Sequence, residues 1–154
     1  TETKLLQYIR NTNIPTILST GMSTLDEVKN AVEIFSGSEF GLLHSVSTYP
    51  APIDELNLNV INTYKDLFPT AVIGYSGHEV GLSPSYAAVA IGAKIIERHI
   101  TLDRSMWGTD QSASIEPQGL SMLVSNIRDI EKSLGDGKKN VTEGEKIIRK
   151  KLRG

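Results

Sequence analysis

Three histidines each follow a short apolar run of this sequence, and together they suggest a metal site. They are His44, His78 and His99. One histidine at the end of a strand is usually structural, but three on successive strands favour one common site. His78 and His99 are 21 residues apart, about one β–α unit, so they could face each other across neighbouring strand ends. Imidazole ligands suit a first-row divalent ion better than calcium, which prefers oxygen.

Carboxylates close in sequence to the third histidine could complete such a site. Glu97 precedes His99 by two residues, which places both side chains on one face of an extended segment. Asp103 and Asp110 follow at a distance. The alternative is structural, because Glu97 and Arg98 could instead form ion pairs with neighbouring strands.

Hydroxyl side chains at another run could bind an anion. Ser19-Thr20-Gly21 directly precedes a helix start, where hydroxyls and helix N-terminal amides can hold phosphate or carboxylate. Trp107, in a polar loop beyond the last run, is interpreted either as a platform that stacks on a sugar or as a loop anchor. The sequence has none of the usual dinucleotide, P-loop or α/β-hydrolase motifs.

Alternating strands and helices must position these residues. Short runs rich in β-branched residues predict the strands, and segments of helical period lie between them. The predicted strands are Thr16–Leu18, Gly41–His44, Ala71–Gly74 and Lys94–Ile96. This alternation predicts a parallel sheet, either in a small open α/β domain or in half of a (β/α)8 barrel. Polar residues at every strand end favour the half barrel, because barrel sites collect there.

Composition excludes several other classes of protein. The chain has 154 residues, of which 39% are hydrophobic, and this indicates a globular domain. It has no cysteine, which excludes a disulfide scaffold, a zinc finger and a thiol nucleophile. The sequence shows neither a signal peptide nor an apolar run of about 18 residues. We therefore expect a cytoplasmic protein without a membrane partner.

The net charge of −2 conceals an acidic body and a basic tail. From residue 138 onward there are seven basic and two acidic residues, so residues 1–137 carry a charge of −7. An acidic body argues against nucleic-acid binding. We interpret the tail as a solvated helix or linker. Because the sequence begins without methionine inside a helical pattern, we expect a piece of a longer protein.

Several ordered motifs resemble those of the sialic acid synthase family, the N-acetylneuraminate synthases. The resemblance extends over nearly the whole chain, and its specificity lies in the order and spacing of the motifs. They are Ile17-Leu18-Ser19-Thr20-Gly21-Met22, Leu42-Leu43-His44, Thr48-Tyr49-Pro50, Gly74-Tyr75-Ser76-Gly77-His78, Glu97-Arg98-His99-Ile100-Thr101-Leu102-Asp103, Gly108-Thr109-Asp110 and Ala113-Ser114-Ile115-Glu116-Pro117.

The resemblance implies that the chain is the C-terminal half of a (β/α)8 barrel, strands five to eight. Residues 1–134 would form this half barrel, and residues 135–154 would be a linker towards an antifreeze-like domain. A homodimer is implied for the full-length protein. We expect the isolated half to be inactive, with exposed sheet edges that promote association.

The resemblance also implies an activity. It is the metal-dependent condensation of phosphoenolpyruvate with N-acetylmannosamine or a related acetamido sugar, a carbon–carbon bond-forming transfer that releases phosphate. Mn²⁺ or Mg²⁺ would be the cofactor. Synthases of the 9-phosphate, of legionaminic acid or of pseudaminic acid remain alternatives, and so does a non-catalytic α/β binding module.

Residue roles follow from the resemblance position by position. His78 and His99 match metal ligands, Glu97 matches an acidic residue beside the metal, and Asp110 matches a carboxylate near the metal and the acceptor sugar. Tyr49 matches a contact to the sugar.

The phosphoenolpyruvate pocket would be lined by hydroxyl groups. The matching residues are Ser19, Thr20, Ser47 and Ser76. One position departs from the family pattern, since many members have lysine where this chain has Ile14. We therefore expect a residue elsewhere to supply that positive charge.

Overall fold

The computed structural model describes residues 2–153, in which four strands alternate with helices. The strands are β1 Thr16–Ser19, β2 Phe40–Ser45, β3 Val72–Gly77 and β4 Ile95–Arg98. The α-helices are α1 Thr3–Asn11, α2 Leu25–Ile34, α3 Val60–Leu67, α4 Ser83–Ala90, α5 Pro117–Leu134 and α6 Glu143–Arg153. Two short 3-10 turns are Ile53–Glu55 and Gln111–Ala113.

The four strands form one parallel sheet in the order β1-β2-β3-β4. All four predicted strands are confirmed, and each continues past its predicted end into polar residues. This is possible because a parallel ladder needs only backbone groups. The register pairs Ser45 with Ser76 and Ser76 with Glu97, so the carboxyl ends of three strands lie side by side.

Within residues 2–153, the helices pack against one face of the sheet and leave the other uncovered. On that face the alternate strand residues Leu42 and Tyr75 pack against helical residues such as Ile61 and Ala88 in the main core. On the other face Ile17, at the edge strand, is 56% exposed. An open doubly wound sheet would have helices on both faces. The observed arrangement is therefore a four-stranded parallel half barrel.

Local sequence explains where the helices begin and end. Thr24 and Glu27 form a capping box at the start of α2. Helix α3 begins at Val60 and does not include Asn57, because Asn57 has a positive φ of 44° and cannot join a right-handed helix. Pro117 opens α5, and Gly135 with φ 60° ends it.

The basic tail contains helix α6, and every described residue from Glu131 to Arg153 is exposed. The segment after α5 is therefore solvated, as expected for a helix or linker, and its assignment as an interdomain linker stays a prediction. Among the described residues, none of the helices has the length and apolar character needed to cross a lipid bilayer.

Candidate functional site

The register decides which side chains share a face at the carboxyl ends of the strands. Side chains alternate along a strand, and paired residues of neighbouring strands point the same way. Ser45, Ser76 and Glu97 are paired in sequence across β2, β3 and β4, and they lie on the face that the helices leave uncovered. His44 and Arg98 occupy the alternate positions and point towards the helices.

Three aromatic rings meet just beyond these strand ends. The ring centroids of His78 and His99 are 5.2 Å apart in an edge-to-face arrangement. The ring of Tyr49 lies 4.3 Å from that of His78 and 5.5 Å from that of His99. The expectation that these two imidazoles face each other across adjacent strand ends is confirmed, and Tyr49 lies against both.

The hydrogen bonds of His78 determine which of its nitrogens can bind a ligand. Nδ1 lies 2.8 Å from the carbonyl oxygen of Val46, so it carries the proton and donates it. Nε2 is then unprotonated in the neutral ring, with the hydroxyl of Ser76 3.5 Å away. In a metal-binding histidine one ring nitrogen usually donates to a backbone carbonyl or carboxylate, and the other nitrogen binds the metal. His78 has this arrangement.

Two carboxylates flank the imidazoles. Ser76 donates a 2.7 Å hydrogen bond to Glu97 Oε1, and the oxygen of the same hydroxyl lies 3.5 Å from His78 Nε2. Asp110 Oδ2 lies 3.8 Å from His99 Nδ1, which is longer than a hydrogen bond. The structure therefore brings Tyr49 and both carboxylates together with the two histidines.

Within residues 2–153, no group of three or more histidine and acidic side chains converges closely enough to hold a metal ion. The candidate metal ligands beyond the ends of β3 and β4 are therefore the two imidazoles of His78 and His99. Such a pair leaves most of the coordination sphere open for substrate and water, as catalytic rather than structural sites require.

A cavity of about 440 Å³ lies between the ends of β1 and β2 and helix α3, and His44 and Tyr64 are among the residues that line it. Thr20, Ser45 and Ser47 supply hydroxyls to its lining. Ser45 also lies 3.5 Å from His78 Nδ1, so it joins the cavity to the rings. A Cβ on Gly21 would overlap the hydroxyl of Ser47 in its present orientation, so the turn after β1 lies directly against the loop after β2.

Thr20 and Ser19 differ in what their hydroxyls can do. Thr20 is buried. Its hydroxyl donates a 2.8 Å hydrogen bond to the carbonyl oxygen of Leu43 and accepts a 3.1 Å hydrogen bond from the hydroxyl of Tyr64. Its hydroxyl is therefore held by the protein. Ser19 is exposed and pairs with Leu43, which places it on the same face as Ser45 and Ser76.

The expectation that the amides of the next helix complete an anion cradle stays a prediction, but the capping box of α2 competes with it. The Thr24 hydroxyl accepts a hydrogen bond from the amide of Glu27. The Glu27 carboxylate in turn accepts a 2.7 Å hydrogen bond from the amide of Thr24. These bonds with Thr24 lower the pKa of Glu27. Asp26 adds a second negative charge in the same turn, so this helix start disfavours an anion.

The expectation of one site for all three histidines fails at His44. Its Nε2 lies 2.7 Å from the carbonyl oxygen of Leu56, and its ring packs against Tyr64 and Tyr75. Burial lowers the pKa of His44, and the hydrogen bond to Leu56 only partly opposes this. The cause is strand alternation, which turns His44 towards the helices.

We predict that His44 makes the chain less stable at mildly acidic pH. Because its pKa is lower in the folded state, the unfolded chain binds the proton more tightly, and stability is lost as the pH falls below the ordinary value of about 6.5. The measurement is urea unfolding at pH 7.5, 6.5 and 5.5. His44→Gln, which can still donate to Leu56 but does not titrate, should show a smaller loss. An equal loss in both proteins would contradict the prediction.

Ser45 belongs to the site but was not predicted as a site residue. Its pairing with Ser76 could have revealed it once the register was known.

Two other predicted positions lie away from the rings or in solvent. Ile14 precedes β1 and so lies at the opposite end of the strands from the rings; a lysine there could not reach them. Trp107 is fully exposed, which contradicts its interpretation as a loop anchor, and sugar stacking stays a prediction.

Comparison with known proteins gives consistent matches. The model of the NeuB family matches residues 1–139. The N,N′-diacetyllegionaminic acid synthase of Campylobacter jejuni is 44% identical over 96% of this chain and 46% of that protein. The human N-acetylneuraminate-9-phosphate synthase is 44% identical over 90% of this chain and 39% of that protein.

A solved structure agrees with the fold. The N-acetylneuraminic acid synthetase of Leptospira borgpetersenii serovar Hardjo-bovis superposes with a TM-score of 0.87 at 39% identity, covering 98% of this chain and 54% of that chain. The chain therefore spans about half the length of the relatives it matches.

Proposed function

The chain belongs to the NeuB family, and from this membership we propose that it forms strands five to eight of a (β/α)8 synthase barrel. The proposed enzyme condenses phosphoenolpyruvate with N-acetylmannosamine or a related acetamido sugar and releases phosphate. The observation that carries the proposal is the contact of the His78 and His99 rings with each other and with Tyr49, with Asp110 beside His99 and Glu97 bonded to Ser76. A non-catalytic binding module would not require that arrangement.

His78 and His99 are the proposed ligands of a divalent ion, and the donor set fits one. The proton on His78 Nδ1 is held by Val46, which leaves Nε2 for a metal. Two imidazoles favour Mn²⁺ over Mg²⁺, because Mg²⁺ prefers oxygen ligands. When bound, the ion supplies Lewis-acid polarisation of the aldehyde oxygen of the open-chain sugar.

The hydroxyls at the neighbouring strand ends are proposed to bind phosphoenolpyruvate. Ser76 lies between His78 and Glu97, and Ser47 lines the cavity at the ends of β1 and β2. Ser19 faces the same uncovered side. Thr20 is proposed to position this turn, because both bonds of its hydroxyl are made within the protein.

The carboxylates are proposed to handle the proton of the attacking water. Carbon 3 of phosphoenolpyruvate bonds to the aldehyde carbon, water adds at carbon 2, and phosphate leaves by cleavage of its bond to carbon 2. Glu97 accepts a hydrogen bond from Ser76 and is placed to accept a proton near that hydroxyl. Asp110 beside His99, together with the ring of Tyr49, is proposed to contact the acceptor sugar.

The acceptor sugar is the least determined part of the proposal. The relatives include synthases named for N,N′-diacetyllegionaminic acid and for N-acetylneuraminate 9-phosphate at the same 44% identity. This chain covers less than half the length of either relative, so we propose that much of the acceptor pocket lies outside it. Residues 135–154 are proposed as the linker to a following domain, and dimerisation and a cytoplasmic location stay predictions.

The experiment uses a chimera in which this chain replaces the aligned segment of the Campylobacter jejuni synthase. We expect phosphate release from phosphoenolpyruvate that requires both Mn²⁺ and an acetamido sugar, with a sugar acid as product in mass spectrometry. The panel is N-acetylmannosamine, its 6-phosphate and the diacetamido sugars. The 154-residue chain alone should be inactive. A folded chimera that releases no phosphate with any acceptor would overturn the proposal.

A further inference from the structure

A fully buried ion pair lies beneath the ring cluster, on the helix side of the sheet. Arg98 Nη1 is 3.0 Å from Glu79 Oε1, and the two side chains are 2% and 0% exposed. Arg98 Nη2 donates 2.7 Å to the backbone carbonyl of Glu79. Tyr75 donates 2.7 Å to the other carboxylate oxygen, and Ser85 lies 3.0 Å from Arg98 Nη1. The pair is thus tied to β3, β4 and α4.

Each member of this pair is the chain neighbour of a proposed metal ligand. Glu79 follows His78 directly, and Arg98 directly precedes His99. The bonds between Glu79 and Arg98 therefore join the ends of β3 and β4 at the residues directly next to the two histidines. A Cβ on Gly77 would come within 2.8 Å of Glu79 Oε2 and 3.0 Å of Arg98 Cδ, so the strand end is shaped around the pair.

Stability alone does not account for charges at this position. Removing two charges from water costs free energy, and their mutual attraction seldom exceeds this cost. Apolar residues of similar volume often give a fold equal or greater stability. What the pair adds is geometry. The Arg98 guanidinium contacts both the side chain and the backbone of Glu79, which fixes the distance and angle between the two strand ends.

We propose that Glu79 and Arg98 are positioning residues that hold His78 and His99 at the separation and orientation a divalent ion requires. The inference rests on the metal site proposed above. Neither residue contacts the ion or the substrate. They act through the backbone at the ends of β3 and β4, as outer partners do at other metal sites.

The test compares a double variant, Glu79→Met with Arg98→Met, with a control, Glu131→Met with Arg128→Met, which removes an exposed ion pair on α5. Co²⁺ is titrated into the 154-residue chain, and binding is followed by the d–d absorption of the ion, which reports its coordination geometry. The thermal midpoint of each protein is measured in parallel. Arg98→Met alone should lower this midpoint strongly, and the double variant should regain much of the loss.

We expect Co²⁺ affinity about 10–100-fold lower in the double variant, with an altered absorption spectrum, and unchanged affinity in the control. A double variant that folds and binds Co²⁺ with the wild-type affinity and spectrum would overturn the inference. His78→Ala separates this failure from that of the metal site. If Co²⁺ binding survives His78→Ala, the proposed ligands themselves are wrong.

Discussion

Replacing His78 with alanine in the chimera is expected to lower kcat/KM for phosphate release by about 10³-fold. A bound metal typically contributes several kcal/mol of transition-state stabilisation, and each 1.36 kcal/mol corresponds to a factor of ten in rate. His78 presents Nε2 as a ligand because Val46 holds the proton on Nδ1. Steady-state phosphate release at saturating Mn²⁺, with calorimetric titration of the metal, provides the measurement.

His44 is the matched control for this substitution. It is the other buried histidine, but its Nε2 contacts the carbonyl of Leu56 and its ring packs on the helix side of the sheet. His44→Ala should lower the stability of the protein and leave its affinity for Mn²⁺ unchanged. The metal assignment is wrong if His78→Ala retains Mn²⁺-dependent turnover, or if His44→Ala removes Mn²⁺ binding from a folded protein.

Replacing Arg98 alone with methionine is expected to destabilise the 154-residue chain by about 3–5 kcal/mol, because it leaves the buried carboxylate of Glu79 without its cation. Ser85 and the carbonyl of Gly81 lose a hydrogen-bond donor at the same time. The free energy of unfolding in urea, measured at pH 7.5, provides the test.

An exposed pair on α5 provides the comparison. Arg128 and Glu131 lie 2.7 Å apart, but their side chains are 65% and 44% exposed. Solvent already screens this attraction, so Arg128→Met should change stability by less than about 0.5 kcal/mol. Equal losses in Arg98→Met and Arg128→Met would show that the buried pair carries no special energetic role.

The strand pattern and the position of the site were predictable from sequence for physical reasons. Parallel strands flanked by turns leave a clear period in the sequence, and the site of a barrel lies at the strand ends irrespective of the residues present. His78 and His99 could therefore be placed together, and the structure brings them to 5.2 Å.

The faces of individual residues were not predictable, because they depend on register. A shift of one residue turns a side chain to the other face of the sheet. His44 was grouped with the other histidines for this reason, and Ser45, its neighbour, was not chosen. His44 follows the core residues Phe40 and Leu42 at intervals of two residues. This spacing was the sequence signal that His44 faces the core and not the site.

The pairing of Glu79 with Arg98 had no sequence signal. The two residues are 19 positions apart on neighbouring strand ends, and their contact depends on the small side chains around Gly77 and Ser85. The structural alternative of an ion pair is confirmed for Arg98, whose partner follows the end of the neighbouring strand β3. Its partner and its location beneath the imidazoles could come only from the three-dimensional structure.

The account depends most directly on His78 and His99 binding one divalent ion together. Electron spin-echo envelope modulation of Mn²⁺ bound to the chimera tests this without reference to turnover. We predict ¹⁴N modulation from two imidazoles, reduced to that of one in His78→Ala and likewise in His99→Ala. Bound Mn²⁺ without ¹⁴N modulation, or with modulation unchanged in both variants, would contradict the account.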